Sequence, residues 1–202
     1  MSGPHQALTL RNEREKFLAA LFDTLWDTYR ERVSYVRAYE EVVAAAGAKG
    51  TNGVDVDAQC RTTLPDVFAI GDCVLHPNRF SNAGMVRLES VQNATDQAAM
   101  VSRILTGETA RYDAIPWFWS QQFDCQLQTA GLLHGFDSTV VRGEPKSGAF
   151  SIIYTLQGRV LALDCVNAGR DFIQGKHLVM KGVVADAETL ASTAIDLRSL
   201  VT

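Results

Sequence analysis

The chain has 202 residues, 47% of them hydrophobic and 21% charged, with a formal net charge of −4. That length holds one or two domains with a sizeable core, and the acidic balance argues against nucleic acid or an anionic membrane as the main partner. No apolar run approaches the roughly 18 to 20 residues that span a bilayer, and Arg11, Glu13, Arg14, Glu15 and Lys16 stand where a signal peptide would carry its apolar core. A cytoplasmic location is therefore expected.

Residues 10–46 read as helical. Phe17, Leu18, Leu21, Phe22, Leu25, Trp26 and Tyr29 recur at steps of three and four, which places them on one face of an amphipathic helix. A second helical stretch covers 33–46, with Gly47 as its C-cap. Residues 1–50 carry seven basic and seven acidic side chains, so the acidic excess lies downstream. The helical pattern stops at 49–52, where Gly, Thr and Asn form a junction. A short strand is expected at 53–56 and a polar segment at 59–63. The apolar run at 66–70 suits a strand buried on both faces of an α/β sheet, and it delivers Gly71 and Asp72. Pro77, Asn78, Ser81, Asn82 and Gly84 make 76–85 loop-like. A helix then opens at 90–93 and closes at Gly107, with Val91, Ala94, Ala98, Val101 and Leu105 as its apolar stripe.

Beyond Pro116 the period changes from helical to alternating. Strands are expected at 123–128, 139–142, 150–156 and 159–166, and Gln157-Gly158 between the last two suits a tight hairpin. Short helices at 172–180, 187–191 and 196–201 complete an antiparallel sheet covered by helices, an α+β arrangement.

Three features can carry chemistry. Ligands of open α/β sheets bind beyond the carboxyl ends of strands, where Gly71 lets a cofactor approach the backbone and Asp72 accepts hydrogen bonds from its hydroxyls. On the residues alone this is equally an ordinary turn. The helix opening at Ser90 and Val91 points free N–H groups at an anionic group in the same crevice, or is simply capped by Ser90 or Asn93 and faces water. In Pro116-Trp117-Phe118-Trp119-Ser120 the Trp119 ring shields a flat ring system, marks a docking surface or anchors the core. No Gly-x-Gly-x-x-Gly turn exists, and Gly47-Ala48-Lys49-Gly50-Thr51-Asn52-Gly53 has the wrong spacing to replace one. Cys60, Cys73, Cys125 and Cys165 are scattered, which predicts reduced and mostly buried thiols and no metal site. His76, His134 and His177 fall in separate elements and read as surface or hydrogen-bonded residues.

The stretch from Cys60-Arg61-Thr62-Thr63-Leu64-Pro65-Asp66 through Gly71-Asp72-Cys73 resembles the FAD-binding end of bacterial FAD-dependent ferredoxin reductases of the rhodocoxin and putidaredoxin reductase kind. Val86-Arg87-Leu88-Glu89-Ser90-Val91-Gln92-Asn93, Pro116-Trp117-Phe118-Trp119-Ser120 and Val160-Leu161-Ala162-Leu163-Asp164-Cys165-Val166-Asn167 follow in that family's order, and the likeness covers 52–202. The resemblance implies an FAD enzyme that passes electrons from NAD(P)H to an iron-sulfur ferredoxin. It implies FAD contacts at Asp72 and Val91, which adds to the residue reading of Gly71 and Ser90 as cofactor-binding, and a Trp119 near the flavin and the ferredoxin-docking face. It divides the chain into an N-terminal helical segment (1–48), the second segment of an FAD-binding α/β domain (49–112) and a reductase C-terminal α+β domain (113–202). Gln121 stands where the family carries Asp, and the family's first FAD segment and NAD domain have no counterpart. Weak or absent FAD binding and no activity are therefore expected of the chain alone, with oligomerisation as cover for exposed edges. A non-catalytic self-association or docking module is the other reading. Residues 10–46 resemble the opening helices of the 2-oxoadipate dioxygenase/decarboxylase family, without its metal ligands.

Overall fold

A computed structural model describes residues 41–50 and 52–201. The chain divides into two compact units, Met1–Ala46 and Gly47–Thr202. Of the first unit, 41–45 are helical, and the Ala46 N–H donates to the Val42 carbonyl at 3.2 Å. The aromatic stripe from Phe17 to Tyr29 lies outside the described residues. Gly47 follows at φ +91°, the left-handed conformation expected of a helix C-cap.

The second unit opens with a small sheet. Strands β1 (Val54–Asp55), β2 (Val74–Pro77) and β3 (Met85–Arg87) lie in that order, β1 parallel and β3 antiparallel to β2. The expected loop at 76–85 is thus a hairpin with a tight tip. The Asn78 N–H donates to the Gly84 carbonyl, and the Asn78 side chain accepts from the Phe80 N–H, so the turn residues are confined to the tip.

Residues 66–70 do not form the expected buried strand. Asp66 turns at φ +59°, Thr62 and Ala69 donate to the Val67 and Cys60 carbonyls, and a single bridge pairs Arg61 with Phe68. Val67 and Ile70 stay exposed. A short apolar run fixes composition, whereas burial depends on which layers cover it, and no described element covers these two side chains.

Helix α1 (Val91–Leu105) begins where expected, with Ser90 as N-cap accepting from the Asn93 N–H at 3.1 Å. It ends as Gly107, at φ +94°, donates to the Ile104 carbonyl. Its packed face differs from the expected stripe. Gln92, Asn93, Gln97, Met100 and Val101 are buried, while Val91 and Leu105 are 65% and 70% exposed. Buried amides set the rotation of this helix, as the site below shows. Met100 and Val101 join Cys60, Ala110 and Tyr112 in a small core, where burial and nearby Asp57 push the Cys60 thiol up to about 12.

The larger sheet holds β4 (Trp117–Gln122), β5 (Cys125–Gly131), β6 (Ser138–Glu144), β7 (Ala149–Leu156) and β8 (Arg159–Val166), all antiparallel, in the order β4-β5-β8-β7-β6. The β7-β8 hairpin turns through Gln157 at φ +52° and Gly158 at φ +77°, two left-handed residues as a type I′ turn requires. Strand β4 lies where only an aromatic cluster was legible. Cross-strand pairing makes two rows on one face, Trp117, Ala130, Leu163, Ile153, Val140 and then Trp119, Gln128, Cys165, Ser151, Arg142.

Helices α2 (Gly169–Lys181) and α3 (Ala187–Ala191), with the short turn Leu197–Leu200, cover that face. Phe172, Leu178, Val179, Leu190 and Leu197 pack on Ala130, Leu163, Ile153 and Val140. A Cβ at Gly175 would lie 2.2 Å from Leu163 Cδ1, so glycine sets how closely α2 approaches β8. Beneath the helices, buried Arg142 pairs with Asp171 at 3.1 Å and donates to the Leu190, Ser192 and Ile195 carbonyls. Ser151 donates to the same Asp171 carboxylate at 3.0 Å. The α+β class expected from the pattern is the class observed.

Candidate functional site

The corner after the bridge at Phe68 is a short 3-10 turn, Gly71–Cys73. Gly71 is buried at φ +79°, and a Cβ there would sit 3.4 Å from the Ala94 Cβ, so the turn lies directly on α1. The Gly71 N–H donates to Gln97 Oε1 at 2.7 Å, and its carbonyl accepts from Asn93 Nδ2 at 3.5 Å. Asp72 is half-buried, and its own carbonyl accepts from Arg87 Nη1 at 3.5 Å. No donor among the described residues engages its carboxylate, which is free to accept from a ligand. Arg87 also pairs with Glu89 at 3.0 Å in a part-buried pair.

The first turn of α1 supplies donors. Ser90 satisfies the Asn93 N–H, and the Val91 and Gln92 N–H groups have no intrahelical acceptor, as at any helix start. Gln92 joins this turn to the aromatic segment. Its Oε1 accepts from the Trp117 N–H at 3.3 Å, and its Nε2 donates to Tyr112 Oη at 3.3 Å and to Asp96. Between the helix start and the larger sheet lies a groove of about 180 Å³, lined by Glu89, Ser90, Trp117, Phe118 and Thr129.

Trp117 and Trp119 stack with centroids 5.4 Å apart and 28° between planes. Trp117 is the structural member. It is half-buried, 5.9 Å from Phe172, with Lys176 Nζ 4.9 Å from its ring. Trp119 is 43% exposed and presents an open aromatic face. Gln121 is exposed further along β4.

The structure therefore brings Gly71 against α1, and Ser90 against Trp117, with α1 as the common element. Trp119 joins this group through its stack on Trp117, and neither it nor Val91 lines the groove. The residues that sequence reading missed are Gln92, Asn93 and Gln97. An apolar-stripe search passes over these three amides, and nothing local in the sequence marks Gly71 as the partner of two of them. His76, behind the corner on β2, is fully buried. Its Nδ1 contacts the Pro77 carbonyl at 3.1 Å, its ring stands edge-on to Tyr112 at 5.2 Å, and its Nε2 has no partner. Burial holds its pKa below the ordinary 6.5. Among the described residues no group of three His, Cys, Asp or Glu could hold a metal, and no helix is long and apolar enough to cross a membrane.

Such an arrangement offers one carboxylate acceptor at the glycine corner and one helix-start donor pair on the adjoining helix, with a flat aromatic surface stacked on Trp117. Residues 117–201 match the family described as reductase C-terminal, and residues 36–98 match pyridine nucleotide-disulphide oxidoreductase. Those two segments are thus similar to parts of pyridine-nucleotide-linked oxidoreductases. The ferredoxin reductase subunit of 5,5'-dehydrodivanillate O-demethylase from Sphingobium sp. is 53% identical over 77% of this chain and 38% of that protein. Rhodocoxin reductase from Rhodococcus erythropolis is 42% identical over 78% of this chain and 37% of its own length. The crystal structure of the covalent putidaredoxin reductase-putidaredoxin complex superimposes with a TM-score of 0.74 at 34% identity, covering 80% of this chain and 38% of that one. The chain is similar to the C-terminal part of these ferredoxin reductases, and it spans about two fifths of their length.

Proposed function

We propose that residues 49–112 are the second segment of an FAD-binding domain and residues 113–202 the C-terminal domain of an NAD(P)H:ferredoxin reductase serving an oxygenase system. The observation that carries this reading is the Gly71-Asp72 corner held against the first two turns of α1. Bound FAD would supply acceptance of a hydride from nicotinamide and release of single electrons. The chain's own residues fit one side of that cofactor. Gly71 leaves room for close approach, and the unengaged Asp72 carboxylate accepts from ribityl hydroxyls. The Ser90-Val91 helix start places positive partial charge toward an electron-rich ring edge. Trp119 offers a flat flank.

Adenine and pyrophosphate contacts have no candidate among the described residues, and affinity depends on such preorganised contacts. The described residues on their own are therefore expected to hold FAD weakly. A ferredoxin-type partner is supported by the solved relative, itself a covalent complex of putidaredoxin reductase with putidaredoxin. A cytoplasmic location follows from the same reading. An absorbance spectrum before and after adding FAD tests it. We expect no flavin band near ~450 nm in the purified chain, and loss of added FAD on desalting. A chain that stays yellow through desalting contradicts the reading.

The second reading, a non-catalytic docking or self-association module, is favoured by one observation. Phe118, Trp119 and Phe123, the last 82% exposed, crowd the β4-β5 hairpin.

A further inference from the structure

We propose that Gln97 is a positioning residue that, with Asn93, locks the Gly71-Asp72 corner into its ligand-ready shape before any cofactor arrives. The proposal rests on the reading of that corner as the ribityl side of a flavin site. Gln97 Oε1 accepts from the Gly71 N–H at 2.7 Å, and Gln97 Nε2 donates to Asn93 Oδ1 at 3.2 Å. Asn93 Nδ2 in turn donates to the Leu88 carbonyl at 3.1 Å and the Gly71 carbonyl at 3.5 Å. Both side chains are 0% exposed. One amide pair thus engages the N–H and the carbonyl of Gly71 and reaches the segment that leads into Ser90.

Such a pair is costly to bury unless every polar atom is satisfied, and an apolar side chain of equal size would pack there without that condition. Satisfied amide networks fix one arrangement of their neighbours. Gly71 needs that restraint. With no Cβ and a positive φ, it has the widest conformational freedom in the corner. A corner already fixed loses less entropy when a ligand binds.

The test is amide hydrogen exchange of the isotope-labelled full chain without FAD, followed by FAD titration into the millimolar range. Gln97→Met keeps the volume and removes the amide, whereas Gln97→Glu, followed at a pH where its buried carboxyl stays protonated, keeps an oxygen acceptor for Gly71 and an O–H donor for Asn93. The Leu163 amide in central strand β8 reports global folding. We expect Gln97→Met to speed Gly71 exchange about tenfold, as for loss of one buried hydrogen bond, with Leu163 unchanged and Gln97→Glu close to wild type. FAD affinity should weaken in parallel in Gln97→Met alone. Unchanged Gly71 exchange in Gln97→Met overturns the proposal. So does equal loss of protection at Gly71 and Leu163 in both variants, which would make Gln97 an ordinary core residue. Faster Gly71 exchange in Gln97→Met with FAD-induced shifts unaltered supports the lock and contradicts the flavin reading instead.

Discussion

Gly71 sits at φ +79° with the Ala94 methyl 3.4 Å from where its own Cβ would lie. Alanine there forces an L side chain into the left-handed region and against α1, at a cost of about 1 to 2 kcal/mol. Gly71→Ala should therefore lower the urea midpoint, and an unchanged midpoint would show that the corner relaxes freely. His76 gives a second prediction at this scale. Its Nδ1 engages the Pro77 carbonyl and its buried Nε2 has no partner, so burial favours the neutral ring and lowers its pKa from 6.5. The unfolded chain binds that proton more readily. The stability His76 contributes is present above its unfolded pKa and is lost as pH falls from 6.5 toward the lower folded value. Unfolding at pH 7.5 and 5.5 should show a larger loss for wild type than for His76→Gln, and equal losses would contradict the assignment. Gly71 and Asp72 were legible as candidates through the family resemblance, since glycine and aspartate after an apolar run are by themselves equally an ordinary turn. Gln97 was not, because nothing local marks an amide whose partner lies 26 residues away.

At the scale of elements, the strongest local signals survived. Gln157-Gly158 specified its hairpin because a two-residue link leaves few backbone solutions, and Ser90 and Gly107 bracketed α1 through capping chemistry. The strand at 66–70 and the stripe on α1 failed for one reason: burial is decided by partners, which an apolar pattern does not name. Strand β4 was hidden because Trp117 and Trp119 point to the helix-covered face while Phe118 points away, so three apolar residues are followed by three polar ones with no alternation. The network under α2 and α3 yields a sharper test. Arg142→Leu removes the cation from the Asp171 carboxylate, which keeps only its Ser151 donor, and leaves three carbonyls without that guanidinium, and should cost about 3 to 5 kcal/mol. Adding Asp171→Leu should recover part of that loss in a double-mutant cycle, and simple additivity would show that the pair is not coupled. Gly175→Val drives a side chain into Leu163, and overpacking of this kind costs about 1 to 3 kcal/mol. A melting temperature equal to wild type would mean that α2 shifts without strain.

For the whole molecule, the larger sheet buries one face under helices and keeps its central strands fully paired, which is sufficient for a self-standing core. The glycine corner is different. It is well formed yet one-sided, with a carboxylate and a helix start but, among the described residues, no candidate for the pyrophosphate contacts. If the exposed β4-β5 hairpin instead drives self-association, size-exclusion chromatography should show an oligomer, and a monomer both with and without residues 1–48 would end that reading. The most direct measurement is titration of FAD into the isotope-labelled full chain, following the amides of Gly71, Asp72, Ser90 and Val91 and the indole of Trp119. The account predicts saturable shifts concentrated at these five positions, with an affinity weaker than about 1 μM, or −8 kcal/mol. Shifts absent from these positions, or a tight complex below that concentration, would contradict it.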